Sequence, residues 1–413
     1  MKSTVDERGV FVRHTDSIGY TLVRNGKPFR VRGASGAGYA EQLAAYGGNT
    51  LRVYHPDSLA WILDEAERLG LAVAADLPLP PFQWLDPDPV GQLKASRSEV
   101  ETIVTRYRDH PALLYWTLGN EVFGAGYTDE YLEAYNELAE YVGELDPFHP
   151  VSTAIIPHQL LDLKMGFHQV DVDFISLNIF GNLSNFHRNK RLFSLIWNGP
   201  YLFSEWGSNG HWEVERTLWQ APIEPTSTSK ADQIRRHYQD KIAAVEDGRL
   251  LGDLVFYWGQ KHEKTPTWFG FFGRDGEISE MAHTTKNLWL GKDEAFPGPR
   301  IDYLLLDGRG APSSILLPAA QQVTVRSVLL SPLDDKAWVQ WSIRREDWQN
   351  QTKLNAEGPP LAGALISSTR SEAVFTTPDI PGPYRLYYQI TDADGYFATA
   401  NVPFYVLNPD HAE

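Results

Sequence analysis

Two short runs of this sequence end in carboxylates. "LLYWTLGNE", Leu113 to Glu121, is apolar enough for a buried strand yet closes on Gly119, Asn120 and Glu121, and "YLFSE" closes on Glu205. A carboxylate delivered at the end of a buried strand is costly unless it is paired or its proton affinity shifts, so each is either a defect or a reagent. Two such groups facing each other can divide the cleavage of an acetal between them. One gives a proton to the leaving oxygen while the other attacks the anomeric carbon, a division that needs about 5–5.5 Å between them. Glu121 and Glu205 are the candidate catalytic residues.

The elements that must position them alternate. From "GYTLVRNGKPFRVRGAS" onward, short apolar runs follow amphipathic segments: "AEQLAAYGG" reads as helix, "NTLRVYH" as strand, "SLAWILDEAERLG" as helix and "LAVAADLPL" as strand. The pattern continues through a helix near Ser98–Arg108, "LLYWTLGNE", the helix "DEYLEAYNELAEYVGEL" and "HPVSTAI". A short helix near Gln159–Lys164, "VDFISLNIF", "YLFSEWG", the helix "ADQIRRHYQDKIAAVE" and "LGDLVFYWG" complete it. With "FRVRGA" as the first, these are eight parallel strands, the signature of an α/β TIM (β/α)8 barrel. Such barrels carry their active sites at the C-terminal strand ends, where strands four and seven face each other across the mouth. Glu121 and Glu205 close those two strands.

Asn25-Gly26 is a hairpin signal, so residues 1–28 are expected to form a β-ribbon leading into a barrel over 29–295. Beyond "FPGPR" the helical period disappears. "IDYLLLD", "QQVTVRSVLL", "AWVQWSI", "EAVFTT", "YRLYYQITD" and "FATANVPFYVL" read as strands of a small all-β sandwich over 300–413, of immunoglobulin-like size.

The paired strand-end glutamates, Asn120 before the first, Arg52 closing "NTLRVYH" and Trp258 closing "LVFYWG" resemble the large clan of retaining glycosidases built on (β/α)8 barrels. "NGKPFRVRGAS" and "GGNTLRVYHP" look like the first strands of a family two glycosidase barrel, while "RVY" and "SLNIFG" are reminiscent of β-1,3-glucan transglycosylases. The resemblance implies that Glu121 is the acid/base and Glu205 the nucleophile. It further implies that Asn120 binds the sugar 2-hydroxyl, that Arg52 keeps Glu205 ionised, and that Trp258 floors the subsite of the cleaved sugar. The clan usually has a tyrosine after strand six that hydrogen-bonds the nucleophile; here Phe180 stands there, so either Tyr54, beside Arg52, supplies that hydroxyl or the nucleophile is less restrained than in relatives. Asn178, Trp206, Gln260 and Trp268 complete the expected substrate contacts, with His262, Trp84 and Trp212 as further wall or platform residues. Asp76 closes the third strand and either binds a hydroxyl or caps a turn.

The remaining composition narrows the partners. Thirty-seven basic against fifty-three acidic residues give a net charge of −16, which disfavours nucleic acid and anionic membrane. Thirteen Trp, nineteen Tyr and nineteen Phe suit sugar rings, whose C–H groups pack on aromatic faces. There is no cysteine and no H-x-H or H-E-x-x-H pattern, so no metal or other cofactor is expected. Gly33, Gly36 and Gly38 follow a strand at G-x-x-G-x-G spacing, not that of a dinucleotide loop, and Arg52 rather than an acid closes the next strand. No run approaches eighteen apolar residues, so membrane insertion is not expected. The expected partner is a β-linked oligo- or polysaccharide such as a β-glucan, which points to the periplasm or cell exterior although the first residues carry no apolar leader. Hydrolysis is the leading expectation and transfer to a second sugar the alternative. A carbohydrate-binding scaffold without activity is the rival of another class, disfavoured by the presence of Glu121, Glu205 and Arg52.

Overall fold

The computed structural model describes residues 9–83, 85–123, 127–156, 170–346 and 358–408; Trp84 and the helix expected near Gln159–Lys164 lie outside the described residues. Two compact units divide the chain, the first comprising Met1–Trp206 and Tyr238–Trp258, the second Gly207–His237 and Gly259–Glu413.

The first unit begins with an antiparallel ribbon, β1 (Val10–Thr15), β2 (Gly19–Arg24) and β3 (Lys27–Phe29). Asn25 and Gly26, both at positive φ, make the tight turn that the Asn-Gly pair predicts. The eight strands that follow are β4 (Val31–Ser35), β5 (Thr50–Val53), β6 (Ala72–Leu77), β7 (Leu113–Asn120), β8 (Val151–Ile155), β9 (Phe174–Asn178), β10 (Tyr201–Trp206) and β11 (Leu250–Phe256). They pair in parallel and close as β10-β11-β4-β5-β6-β7-β8-β9. These are the eight strands expected. Their nearly unbroken burial explains why they read as continuous apolar runs rather than alternating ones.

Between strands the helical spacing holds. Leu59–Leu69 buries Leu59, Ile62, Leu63 and Ala66, and Asp129–Leu145 buries one stripe from Tyr131 to Val142 behind a Thr128 side-chain cap. The stretch after β9 forms two short helices, Leu183–Arg188 and Lys190–Ile196. The ribbon closes the N-terminal end of the barrel. Val10 and Leu22 join the core of Val31, Leu114, Phe174 and Leu202, and the Val10 and Tyr20 N–H groups donate to carbonyls of Phe148 and Gly248, in the loops leading into β8 and β11. The opposite, C-terminal end is left for the polar residues.

The second unit holds the helices Ser227–His237 and Glu280–Leu290, packed on each other, and two sheets. One sheet runs β12 (Ile278–Ser279), β20 (Tyr396–Leu407), β19 (Gly382–Thr391), β16 (Trp338–Arg345), with β14 (Ile315–Pro318) also on β20. The other runs β13 (Ile301–Leu306), β15 (Gln322–Leu329), β18 (Glu372–Thr376), β17 (Leu365–Ser368). The core between them is aromatic, with Trp341 stacked on Tyr388 at 4.0 Å and Tyr384 on Phe404 at 5.7 Å. The six expected strands are present, joined by β12, β14 and β17. Of these, β12 and β14 pair in parallel with β20.

Candidate active site

Each catalytic candidate is aimed by a break in strand register. On β7 the pairing with β8 slips between Thr117 and Asn120, and the chain turns through positive φ at Gly119 (75°) and Glu121 (56°). A bulge of this kind re-aims the side chains that follow it. Only glycine suits position 119, because a Cβ there would stand 2.6 Å from Val122 Cγ1. On β10 the register with β9 slips between Phe203 and Glu205, setting Glu205 opposite Asn178. The strained φ of Glu121, unusual for a residue with a side chain, is the local cost of presenting that carboxylate.

Arg52, on β5, is the hub. It is fully buried, and its Nε and Nη2 grip Asp76 at 3.0 and 2.7 Å as a bidentate pair. Nη2 also donates to Asn120 Oδ1 at 2.8 Å, and Nη1 donates to Glu205 Oε1 at 3.1 Å and Asn178 Oδ1 at 3.4 Å. A guanidinium has five N–H donors, and these contacts use all of them. Burial opposes its charge, but Asp76, Tyr54 and Glu205 overcome that and hold Arg52 cationic, its pKa raised well above the ordinary arginine value. Asp76 is therefore a counter-ion, neither hydroxyl ligand nor turn cap.

Asn178 is saturated in the same way. Its Oδ1 accepts from Ser204 Oγ (2.8 Å) and Arg52, while its Nδ2 donates to Glu121 Oε1 (2.7 Å) and Asn120 Oδ1 (3.1 Å). Asn178 was expected among the substrate contacts and Arg52 at Glu205, which it was expected to keep ionised. With every donor of both committed, the two side chains tie Glu121, Glu205 and Asn120 into one hydrogen-bonded frame. Asn120 is exposed, and its Oδ1 accepts from Arg52 and Asn178 while its Nδ2 donates to no partner among the described residues.

Tyr54 resolves the question raised by Phe180. Its hydroxyl donates to Glu205 Oε1 at 2.8 Å, and its ring lies under the Arg52 guanidinium, 4.6 Å from centroid to Cζ. Burial, reinforced by the Glu205 carboxylate, pushes the phenol well up, so it remains a neutral donor. Phe180 packs edge-on against Phe256 at 5.4 Å, its ring carrying no hydroxyl to offer.

The tryptophans require correction. Trp258 is fully buried, donates its indole N–H to Tyr39 O at 3.1 Å and meets Tyr46 edge-on at 6.0 Å. Trp206 is equally buried, bonded to Asp253 Oδ1 at 2.9 Å, and Trp268, in the second unit, donates to Asn209 O at 3.0 Å. None of the three shows a face to a sugar; each is packed in the interior with its N–H satisfied. Gln260 is exposed in the second unit with its amide bonded to Gly273 O, and Trp212 is 46% exposed with Phe269 beside it. Sequence reasoning missed Ser204 and Ser35, whose hydroxyls lock Asn178 and the Ser204 carbonyl (2.7 Å). A serine inside each of two buried runs, "RGAS" and "FSE", was the available signal.

The fold and site together define a (β/α)8 barrel with paired carboxylates at the C-terminal ends of its fourth and seventh strands. The model of the glycosyl hydrolases family 2 TIM barrel domain matches residues 57–197, about a third of the chain, including Asp76, Asn120, Glu121 and Asn178. Among solved structures, the chain is similar to Bacteroides uniformis beta-glucuronidase 2 covalently bound to cyclophellitol-6-carboxylate aziridine. The identity is 15% and the TM-score 0.53, over 96% of this chain and 48% of that one. It is also similar to the beta-glucuronidase of Ruminococcus gnavus (18% identity, TM-score 0.52, 68% of this chain and 53% of that one). A GH2 beta-galacturonidase from Eisenbergiella tayi bound to galacturonate gives 18% identity and TM-score 0.52, over 70% and 55%. The chain spans about half the length of these structures, and at such identities the likeness is one of fold. No curated protein matches the chain. Among the described residues no helix is long and apolar enough to cross a membrane.

Proposed function

We propose that this chain is a retaining β-glycosidase in which Glu205 is the nucleophile and Glu121 the acid/base. The observation that carries the reading is the single hydrogen-bonded frame of Arg52 and Asn178, which holds a carboxylate from each of two barrel strands and leaves Asn120 Nδ2 available. In the first step Glu205 forms an ester with the anomeric carbon as the glycosidic bond breaks, and the departing oxygen takes the proton of Glu121. Glu121, now a base, removes a proton from water, whose oxygen displaces Glu205 and frees the sugar. Asn120 Nδ2 donates to the 2-hydroxyl of the reacting sugar, a bond that strengthens in the transition state. Arg52 and Tyr54 keep Glu205 ionised and fixed before attack.

The substrate we propose is a β-linked glucan or oligosaccharide, with transfer to a sugar acceptor as the variant outcome on the same residues. Uronides belong beside it because the solved relatives are named for glucuronides and galacturonides. The strands beyond residue 300 we take as an immunoglobulin-like sandwich accompanying the barrel of 29–295. The test is incubation with a panel of β-glucans and β-uronides, products read by mass spectrometry. Release of a shortened sugar supports the reading, an elongated product assigns transfer, and absence of turnover on the whole panel would sink it.

A further inference from the structure

A cavity of about 370 Å³ lies wholly within the second unit, between the loop of residues 259–279 and the sheet containing β16, β19 and β20. No residue of the first unit lines it, so it is separate from the Glu121–Glu205 site. Its volume falls in the range of small-ligand sites, roughly 300–1,000 Å³.

The sheet face that floors it is built by alternation. Trp341, Ile343, Leu386, Tyr388 and Ile390 point into the aromatic core, which sends Trp338, Gln340 and Ser342 of β16 to the other side. In register they stand opposite Thr391, Gln389 and Tyr387 of β19. Trp338 is 54% exposed and has no ring partner among the described residues. A lone exposed aromatic is ordinary on a surface. Here it stands at the rim of a concavity beside Gln340 and Gln389, whose directly opposed amides present both donors and acceptors. Sugar hydroxyls are likewise both donor and acceptor, and their rings expose apolar C–H faces to an indole.

The charges settle the ligand class. Lys261, Arg274 and Arg344 line the cavity against Asp275 and Glu277, a balance within one unit in a chain of net −16. Lys261 is paired with Glu263 at 3.0 Å, and the Glu277 carboxylate accepts from the Asp275 N–H at 2.9 Å, so part of that charge is already spent internally. Neither a polyanion nor a polycation is matched by such a lining. We propose that this cavity is a second glycan site that binds a neutral β-linked oligosaccharide with Trp338 as the stacking face and Gln340 and Gln389 as the hydroxyl clamp. Its role is to retain a polymer that the barrel processes, and in that role alone it rests on the function proposed above.

Calorimetric titration of the full chain as Glu205→Gln, which stops turnover, with β-1,3- and β-1,4-glucohexaose tests it. Two binding events are expected, one of them weakened at least tenfold by adding Trp338→Ala or, independently, Gln340→Ala, with melting temperature unchanged. Both side chains are exposed, so neither replacement threatens the fold. If the barrel reading fails while this one stands, a single event sensitive to Trp338 is seen. Absence of binding by either hexaose, or titrations unmoved by both replacements, overturns the proposal.

Discussion

Asn178→Asp is the sharpest probe of the frame, because it changes one atom, the Nδ2 that donates to Glu121 and to Asn120. In the native site Asn178 Nδ2 donates to Glu121 Oε1 at 2.7 Å. In the variant an oxygen takes that place, while the other oxygen still accepts from Ser204 and Arg52. Two carboxyl groups at that separation must share a proton and titrate as a pair. Between unit charges 2.7 Å apart, Coulomb's law gives about 1.5 kcal/mol in water and about 6 kcal/mol at an effective dielectric of 20. Glu121 is partly exposed, so the lower end is the safer expectation, equivalent to about one pH unit. The assay is kcat/KM against pH for two aryl β-glycosides, one with a poor and one with a good leaving group. With the poor leaving group, which needs the proton, the basic limb should move upward by at least about one unit. With the good one, whose glycosylation step needs no proton, it should move little. A basic limb unmoved with the poor leaving group, in a variant of native melting temperature, would refute the reasoning that Asn178 positions the acid.

Glu205→Gln should abolish turnover of every glycoside, whereas Glu121→Ala should retain glycosylation by a dinitrophenyl β-glycoside and be rescued by azide to a β-glycosyl azide; an α-azide, or rescue of the Glu205 variant, would reverse the roles. Trp258→Ala, now a core substitution, should cost about 3–5 kcal/mol of stability by urea melt while leaving kinetics at low temperature nearly intact; the reverse pattern would restore it as a sugar platform. Asp253, deeply buried in β11, has its carboxyl raised by that burial from 3.8 to about 6, against the pull of Arg30, the Trp206 bond and Arg32. A carboxyl whose folded pKa is raised costs stability only when ionised, so the cost is absent below about pH 4, grows toward pH 6 and is complete above it. Asp253→Asn should therefore gain on the native protein by about 2 kcal/mol between pH 4.5 and 7.5, and an equal difference at both pH values would count against it.

The barrel was legible because its strands, buried on both faces, write long apolar runs, and its helices write a 3.6-residue stripe. The candidate pair stood out for the same reason, since a glutamate closing such a run is harder to read as incidental when a second one does likewise three strands on. What could not be read was direction. A tryptophan at a strand end looks the same in sequence whether its indole faces a sugar or, as at Trp206 and Trp258, turns inward to Asp253 or the Tyr39 carbonyl. The short strands β12, β14 and β17 escaped for want of length: β12 has two residues, β14 ends in Pro318, and the four residues of β17 are all exposed, giving no alternation to detect.

The same limit applies to Arg52. Its place beside Glu205 was expected, and Nη1 stands 3.1 Å from Glu205 Oε1, but the number of its other partners comes only from a count of its donors. Five N–H groups meet Asp76, Asn120, Asn178 and Glu205, so nothing remains for a sugar. A group with no spare donor can turn toward an incoming hydroxyl only by giving up one of these bonds. Asn178 is locked by the same arithmetic. Under the proposed division of labour, preorganisation of this kind would set two carboxylates of one residue type apart: Glu205 is held by a cation and a phenol, while Glu121, among the described residues, receives a neutral amide.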